Sequence, residues 1–375
     1  MSIAIDVRMI NSSGIGVYLK NILPRLITEE ISAKYYLMGR PAEIQRFPWA
    51  RSGNVEIIDI KAPIYSVSEQ LELGHKIPAA VKLFWAPHYN IPLLYRGRLV
   101  ATVHDVSHLA MPQFVSGLHK RAYARFMFAG LIRKTSSVIC VSRFTRDELV
   151  KYTGAPTAKI FPIHNGCDAK WFSLEAKTPP YPKPFLLFVG NVKPHKNLRA
   201  LIKAFGLVKD SINHDLVIVG KKDGFITGDN DALLGGQAMG GRVVFTGEIS
   251  DQLLEQYFTH ATALVFPSLY EGFGLPLVEA MACGCPVIAS RAASMPEVCG
   301  DAAVYCDPCS APDIADKILM LTRTDLLRRA LSIRGRERAR LFSWEKCVSY
   351  TTEVLRRALP QEAKIWLQTT IKGAK

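Results

Sequence analysis

What the chain lacks narrows the possibilities first. Nowhere do 18 apolar residues run without a charge, so a membrane-spanning helix is not expected. The start, Met1-Ser2-Ile3-Ala4-Ile5-Asp6, has no basic region ahead of an apolar stretch and no cleavage site, and the expectation is a cytoplasmic protein. In that compartment the eight cysteines are expected as free thiols, or at most metal ligands. Acidic residues are in deficit: 33 stand against 47 Lys and Arg, a formal charge of +14. Most of the excess falls in the first 180 residues, +10 against +4 in the rest. An anionic partner is implied, whether phosphate, nucleic acid or a membrane surface, and charge alone does not choose among them.

What is present excludes disorder and small disulfide-stapled scaffolds. With 375 residues, 49% hydrophobic and 21% charged, the chain can bury a sizeable core, and two domains are expected. Ile3-Ala4-Ile5-Asp6-Val7 reads as a strand, Gly14-Ile15-Gly16 as a loop, and Val17, Leu19, Ile22, Leu23 and Leu26 as one face of a helix. The second half repeats the pattern. Phe185–Val189 leads through Gly190 into a helix around Leu198 to Phe205, and Leu216–Gly220, Val243–Phe245, Ala263–Phe266 and Pro286–Ala289 supply further strands. Short buried strands alternating with helices predict an α/β protein of two doubly wound, Rossmann-like parallel-sheet domains facing across a cleft. The proline-rich run Lys177–Pro184 is the expected linker. It separates an N-terminal domain, 1–176, from a C-terminal domain, 185–343.

The segment richest in chemistry is Phe266-Pro267-Ser268-Leu269-Tyr270-Glu271-Gly272-Phe273-Gly274-Leu275-Pro276-Leu277-Val278-Glu279. It predicts a strand end, a glycine turn and a helix starting near Leu275 or Pro276. The amides of Phe273, Gly274 and Leu275 would then suit phosphate or sugar oxygens, and Glu271 and Glu279 would reach one ligand at different points. Two other patterns lead elsewhere. Asp229-Asn230-Asp231 matches a metal-binding Asp-X-Asp, but lies in a glycine-rich stretch, 228–241, that predicts an exposed loop. His104 and His108 have zinc-ligand spacing without the Glu that follows the first His in the hydrolase motif. Cys306-Asp307-Pro308-Cys309 has no second knuckle of tight spacing, and Cys283-Gly284-Cys285 reads as a helix-to-strand turn. No metal is expected.

At this point the sequence resembles the retaining glycosyltransferases of family 4, which have the GT-B fold. The Glu-(seven residues)-Glu pattern, Glu271 to Glu279 around Gly-Phe-Gly-Leu-Pro, carries most of the resemblance. Gly14-Ile15-Gly16, His104-Asp105, His164-Asn165-Gly166-Cys167-Asp168 and the run from Phe188 to Leu198 are similar to further family motifs in the right order. One departure is Asn191, where many members carry an Arg that grips the donor diphosphate; Lys196 is retained. That variant, with Ile5-Asp6-Val7-Arg8, resembles bacterial O-antigen and exopolysaccharide mannosyltransferases.

The resemblance implies transfer of a hexose, mannose from GDP-mannose, to a polyprenyl-diphosphate-linked glycan in cell-surface polysaccharide synthesis, with no cofactor besides the nucleotide-sugar donor. Lys196 would stabilise the leaving diphosphate; Glu271 with the amides of Phe273, Gly274 and Leu275 would hold the hexose; Glu279 would bind the ribose. Gly14, Gly16 and Asn191 would lie against the diphosphate, and His104 near the sugar and acceptor. The N-terminal domain would bind the acceptor, and the tail, 344–375, helical from Trp344 through Leu359, would pack back on it. Thr246-Gly247-Glu248 is a candidate wall of the base pocket. A UDP-hexose donor stays open.

From Val106 to Arg146 there is no acidic residue and there are seven basic ones. Arg121, Arg125 and Arg133 share a helical face interleaved with Tyr123, Phe126, Met127 and Phe128, which suits an interfacial helix on anionic lipid on the inner face of the cytoplasmic membrane, where the acceptor would be found. A solvated basic face over an ordinary core face is the alternative. Two further rivals are a nucleotide-sugar epimerase of the same fold class and a nucleic-acid-binding protein. The second lacks a recognition module and a stacking platform of aromatics, so no nucleic-acid partner is expected.

Overall fold

A computed structural model describes residues 2–29, 32–115, 117–172, 178–221 and 229–360. Two compact units emerge: Met1–Ala110 with Gly117–Gly166 and Trp344–Lys375, and Met111–Ser116 with Cys167–Ser343.

The first unit carries a seven-stranded sheet made of β1 (Ser2–Asp6), β2 (Lys34–Gly39), β3 (Val55–Asp59), β4 (Leu83–Ala86), β5 (Leu99–Val103), β6 (Ser137–Cys140) and β7 (Ile160–Pro162). Their spatial order is β3-β2-β1-β4-β5-β6-β7, and every pairing is parallel. The second unit has six strands, β8 (Phe185–Val189), β9 (Asp215–Val219), β10 (Val243–Gly247), β11 (Ala263–Phe266), β12 (Val287–Ser290) and β13 (Ala303–Cys306). Their order is β10-β9-β8-β11-β12-β13, again parallel throughout. In both sheets the direction of winding reverses beside the first strand, between β1 and β4 and between β8 and β11. These are the places where open parallel sheets bind ligands, outside the carboxyl ends of the strands.

The second unit shows why the pattern was legible. β8, β9, β11 and β12 are wholly buried, because helices cover both sheet faces, and their side chains are apolar except for Asp215 and Ser290, which are hydrogen-bonded. The helix Leu198–Val208 buries Leu198, Leu201, Ile202, Ala204, Phe205 and Val208, a stripe of helical period that packs on Leu186, Phe188, Leu216 and Ile218.

Three expectations change. The proline run is no free linker: Tyr181 donates to Asp215 Oδ2 at 2.7 Å, and Lys183 Nζ lies 3.4 Å from the same carboxylate. The second unit takes in Met111–Ser116 and then runs from Cys167 to Ser343. Lys177 lies outside the described residues. The stretch expected as an exposed loop holds the helix Asn230–Gln237, which Asp229 caps by accepting from Ala232 N at 3.2 Å. Arg199 pairs with both Asp229 and Asp231, at 3.1 and 2.7 Å, so these carboxylates have a structural role.

The tail helix is Trp344–Ala358; residues 361–375 lie outside the described set. It buries Trp344, Cys347, Val348, Val354 and Leu355. Trp344 meets Tyr18 edge-on with ring centroids 6.0 Å apart, Arg25 Nε lies 3.1 Å from Glu345, and Arg98 donates to the Ala358 carbonyl at 3.3 Å. All eight cysteines are free, and only Cys309 is exposed. Among the described residues no helix is long and apolar enough to cross a membrane.

Candidate active site

In the second unit the winding reversal places two loops side by side, Gly190–Asn197 after β8 and Pro267–Gly274 after β11. Lys196 Nζ lies 2.5 Å from Glu271 Oε1, both side chains largely shielded from water. The ammonium also sits 5.5 Å from the centre of the Phe266 ring, a cation–π contact. Neighbouring hydrogen bonds fix the two loops. Leu269 N donates to the His195 carbonyl at 2.8 Å. Asn197, itself left-handed at φ +60, donates to the carbonyls of Pro267 and Pro308 at 3.0 and 2.7 Å. Ser294 Oγ donates to the carbonyls of Glu271 and Phe273 at 2.9 and 3.1 Å.

Gly274, at φ +92, opens the helix Leu275–Ala282, and no side chain caps it. Its first-turn amides follow Glu271, the partner of Lys196, closely in the chain, and a helix start of this kind is suited to phosphate or carboxylate oxygens. On the same edge Gly190 N donates to the Val219 carbonyl at 2.9 Å, and Gly220 N to the Gly247 carbonyl at 3.0 Å. Asn191, half-buried, follows this glycine contact. Thr246 Oγ1 donates to the Gly247 carbonyl at 3.0 Å, and Glu248 pairs with Lys221 at 3.1 Å.

Glu279 lies further along the same helix, in the field of Asp251, Lys170 and Asp168, and burial pushes its carboxyl up to about 7. Lys170 is engaged with Asp251 at 2.7 Å. A carboxyl raised from 4.5 to about 7 prefers its proton in the folded state. Its contribution to stability is therefore complete below pH 4.5 and is lost as pH rises towards 7, where the unfolded chain has already released the proton. Glu279→Gln abolishes this titration. The thermal midpoint of the unmodified protein is expected to fall between pH 5 and 8, by the equivalent of about 2 kcal/mol, while that of the variant stays flatter. Equal slopes would remove the account.

In the first unit His104 follows β5. Its Nε2 donates to the Pro87 carbonyl at 2.9 Å, and burial pushes the imidazole down to about 4. The ring is thus uncharged at neutral pH, with Nδ1 as the hydrogen-bond acceptor. It meets Tyr18 edge-on at 5.0 Å, on the helix Gly14–Glu29 that the glycine loop opens. Gly14 is exposed and unconstrained. A side chain at Gly16 would come within 2.6 Å of the Ile10 carbonyl oxygen, so its own chain demands this glycine; the expected reason, room for a diphosphate, is not needed.

The helix Leu118–Lys134 buries Ala124, Met127, Phe128 and Leu131. Of the aromatics expected to interleave with the arginines, Phe128 is therefore core and Tyr123 is half-buried; Phe126 is 65% exposed. Arg125 and Arg133 are exposed, and Arg121 is half-buried. The exposed face keeps its basic character with less apolar surface than expected, because three- and four-residue spacing turns Met127 and Phe128 inward.

Lys170 and Ser294 carried no signal in the sequence, and Asn197 was legible only as part of the run from Phe188 to Leu198. Their partners are 81, 23 or 21, and 70 or 111 residues away, and a lone Lys, Ser or Asn has no spacing that announces such a bond.

Two parallel doubly wound units, with a lysine and helix-start amides at the winding reversal of the second, are the architecture of the GT-B fold. Comparison with known proteins agrees. Residues 170–338 match the glycosyl transferases group 1 family, and residues 77–171 match Glycosyltransferase Family 4. The chain is 30% identical to O-antigen chain mannosyltransferase B of Escherichia coli over 288 residues, 72% of either chain. It is 31% identical to the O-antigen chain mannosyltransferase RfbU of Salmonella typhimurium over 227 residues, 60% of this chain and 61% of that one. In fold it is similar to sucrose-phosphate synthase from Thermosynechococcus elongatus, with a TM-score of 0.79 at 20% identity, covering 95% of this chain and 98% of that one. Anabaena HepE in complex with UDP and glucose gives 0.75 at 18% identity, covering 95% and 99%. The chain belongs to the family 4 glycosyltransferases.

Proposed function

We propose that this glycosyltransferase is a retaining mannosyltransferase that moves mannose from GDP-mannose to a polyprenyl-diphosphate-linked glycan in cell-surface polysaccharide synthesis. The observation that carries the reading is the Lys196–Glu271 pair beside the uncapped start of the helix Leu275–Ala282. The mannosyl and O-antigen parts are supported by the relatives' names. The bond from the sugar's anomeric carbon to the diphosphate breaks while the bond to the acceptor oxygen forms on the same face, and the leaving diphosphate takes the acceptor proton. No protein nucleophile takes part. Lys196 and the amides of Phe273, Gly274 and Leu275 stabilise the developing charge without a metal cofactor. Glu271 holds the hexose, Glu279 the ribose, and Asn191 borders the diphosphate. His104 accepts a sugar hydroxyl at Nδ1.

The first unit receives the acceptor, and the exposed Arg125, Arg133 and Phe126, with Arg121, support peripheral contact with an anionic membrane surface. The test is thermal stability and donor hydrolysis with GDP-mannose, UDP-glucose, UDP-galactose and UDP-N-acetylglucosamine in the presence of EDTA, with Glu279→Ala as control. Stabilisation and GDP release confined to GDP-mannose, and lost in the variant, are expected. A response to a UDP-sugar alone would overturn the donor and leave the fold and chemistry standing.

A further inference from the structure

We propose that the acceptor saccharide docks on an aromatic shelf formed by Tyr65 and Tyr89 in the first unit. The inference rests on the glycosyltransferase reading and starts from a conformational oddity. Tyr65 has φ +68, the left-handed region that a bulky side chain enters only at a cost and only where its surroundings impose it. Here they do. Tyr65 N donates to Glu69 Oε2 at 2.7 Å, and Ser66 caps the following helix, Val67–Lys76, by accepting from Glu69 N at 3.1 Å.

Glu69 is fully buried and belongs to a network of charged groups at the carboxyl ends of β1 and β4, the strands that flank the winding reversal of this sheet. Arg8 pairs with Glu69 and with Asp6, the latter at 2.5 Å. Asn90 Nδ2 lies 2.7 Å from both Glu69 oxygens. His88 Nε2 donates to Asp6 at 3.0 Å while its Nδ1 accepts from Asn90 N at 3.1 Å. The Tyr123 hydroxyl donates to Asn90 Oδ1. Buried ion pairs seldom stabilise a fold beyond what apolar residues would do; this one orients the Tyr65 backbone. Arg8 Nη1, also buried, has no hydrogen-bond partner among the described residues, so the network holds one donor in reserve.

The residue as a whole is 46% exposed. Its ring stacks on Tyr89 at 6.0 Å with 28° between the planes and meets Tyr123 edge-on at 6.2 Å. Tyr89 is itself stacked at 4.7 Å on the buried Phe128, with His108 at 5.5 Å. The shelf is therefore backed by core. Asp105, whose charge acts on both Tyr65 and Tyr89, borders it. A rigid, half-exposed aromatic face rimmed by phenol hydroxyls, an imidazole and a carboxylate suits a pyranose, whose C–H face packs on the ring while its rim hydroxyls form hydrogen bonds. Asp6 and Glu69 outnumber the Arg8 that pairs with both, and with Asp105 the balance of charge at the site does not favour an anionic occupant. Lys196, Glu271 and Glu279, proposed for the donor, belong to the second unit, and the first unit is the one proposed to receive the acceptor, so the acceptor is the sugar assigned to this site.

The test uses the full chain as wild type, Tyr65→Gly, Tyr65→Phe and Glu69→Gln. Glycine adopts φ +68 without strain, so Tyr65→Gly removes the ring, keeps the backbone and should melt at or above the wild-type temperature. The probes are methyl α-D-mannopyranoside, methyl α-D-glucopyranoside, methyl α-D-galactopyranoside and N-acetylglucosamine, read by saturation-transfer NMR and as acceptors. At least one probe is expected to show saturation transfer that Tyr65→Gly loses, with its KM raised at least tenfold and acceptor-independent donor hydrolysis unchanged. Tyr65→Phe should stay within threefold of wild type, and Glu69→Gln, a positioning change, should raise the acceptor KM without touching donor hydrolysis. Wild-type acceptor behaviour in Tyr65→Gly, or no saturation transfer to any probe, overturns the shelf. Absence of donor hydrolysis in the wild type counts against the enzyme reading instead, and the NMR arm still decides the shelf.

Discussion

Lys196→Met is expected to lower kcat by about 10²- to 10³-fold while the protein stays folded. The ammonium is held 2.5 Å from Glu271 by a loop that Asn197 ties to two carbonyls, so in the proposed reaction it would be in place before charge develops on the leaving diphosphate. A preorganised cation in a shielded site contributes about 3–4 kcal/mol to such a transition state. In the proposed site Asn191 is neutral, which would concentrate the demand on Lys196. Methionine keeps much of the side-chain volume and loses the charge. Lys196→Arg should recover part of the rate, since its fork reaches the same oxygens with different geometry. The measurement is steady-state kinetics with the donor that responds in the stability screen, separating kcat from KM. A Lys196→Met enzyme within threefold of wild type in kcat would remove the lysine from the chemistry.

The second large effect is on folding. Gly220→Ala is expected to destabilise the second unit by about 3 kcal/mol or more, about 10 °C in thermal midpoint. The missing Cβ would lie 2.1 Å from the Gly190 carbonyl oxygen and 2.6 Å from its carbon. Both are backbone, so neither can rotate away. Gly220 also has φ +147 and Gly190 φ +154, and the two glycines let the ends of β8 and β9 close on each other. An alanine would push the loop that carries Asn191 outward, so donor stabilisation should fall as well. Gly247→Ala is the control: its φ is +79, with nothing within 4 Å of the added carbon, and its cost should stay near the backbone term of about 1–2 kcal/mol. Equal melting of the two variants would show that backbone angle matters and the contact does not.

Much of the second unit could be read without coordinates. Five-residue runs such as Phe185–Val189 have no other home than a strand covered on both faces, and a glycine followed by a helical stripe marks the turn that follows. The same locality made the segment from Glu271 to Glu279 readable, since strand end, turn and helix start are set by neighbours in the chain. The first unit was harder. β2 opens on the exposed Lys34, no residue of β3 is fully buried, and the helix Leu118–Lys134 has Arg and Lys throughout, so its buried stripe of Ala124, Met127, Phe128 and Leu131 is diluted.

The amino-acid sequence by itself determined the alternation of strands and helices, the glycine turns at the strand ends and the family motifs, because each depends on residues a few positions apart. Tertiary structure alone decided that Lys196 meets Glu271 across 75 positions, that Asp215 binds the proline run to the second unit, and that Gly16 answers to Ile10. It also decided that Glu69 and Arg8, 61 positions apart, hold Tyr65 in a left-handed turn. Such pairings follow from which strands lie side by side, and strand order is set by the packing of whole faces rather than by any local spacing.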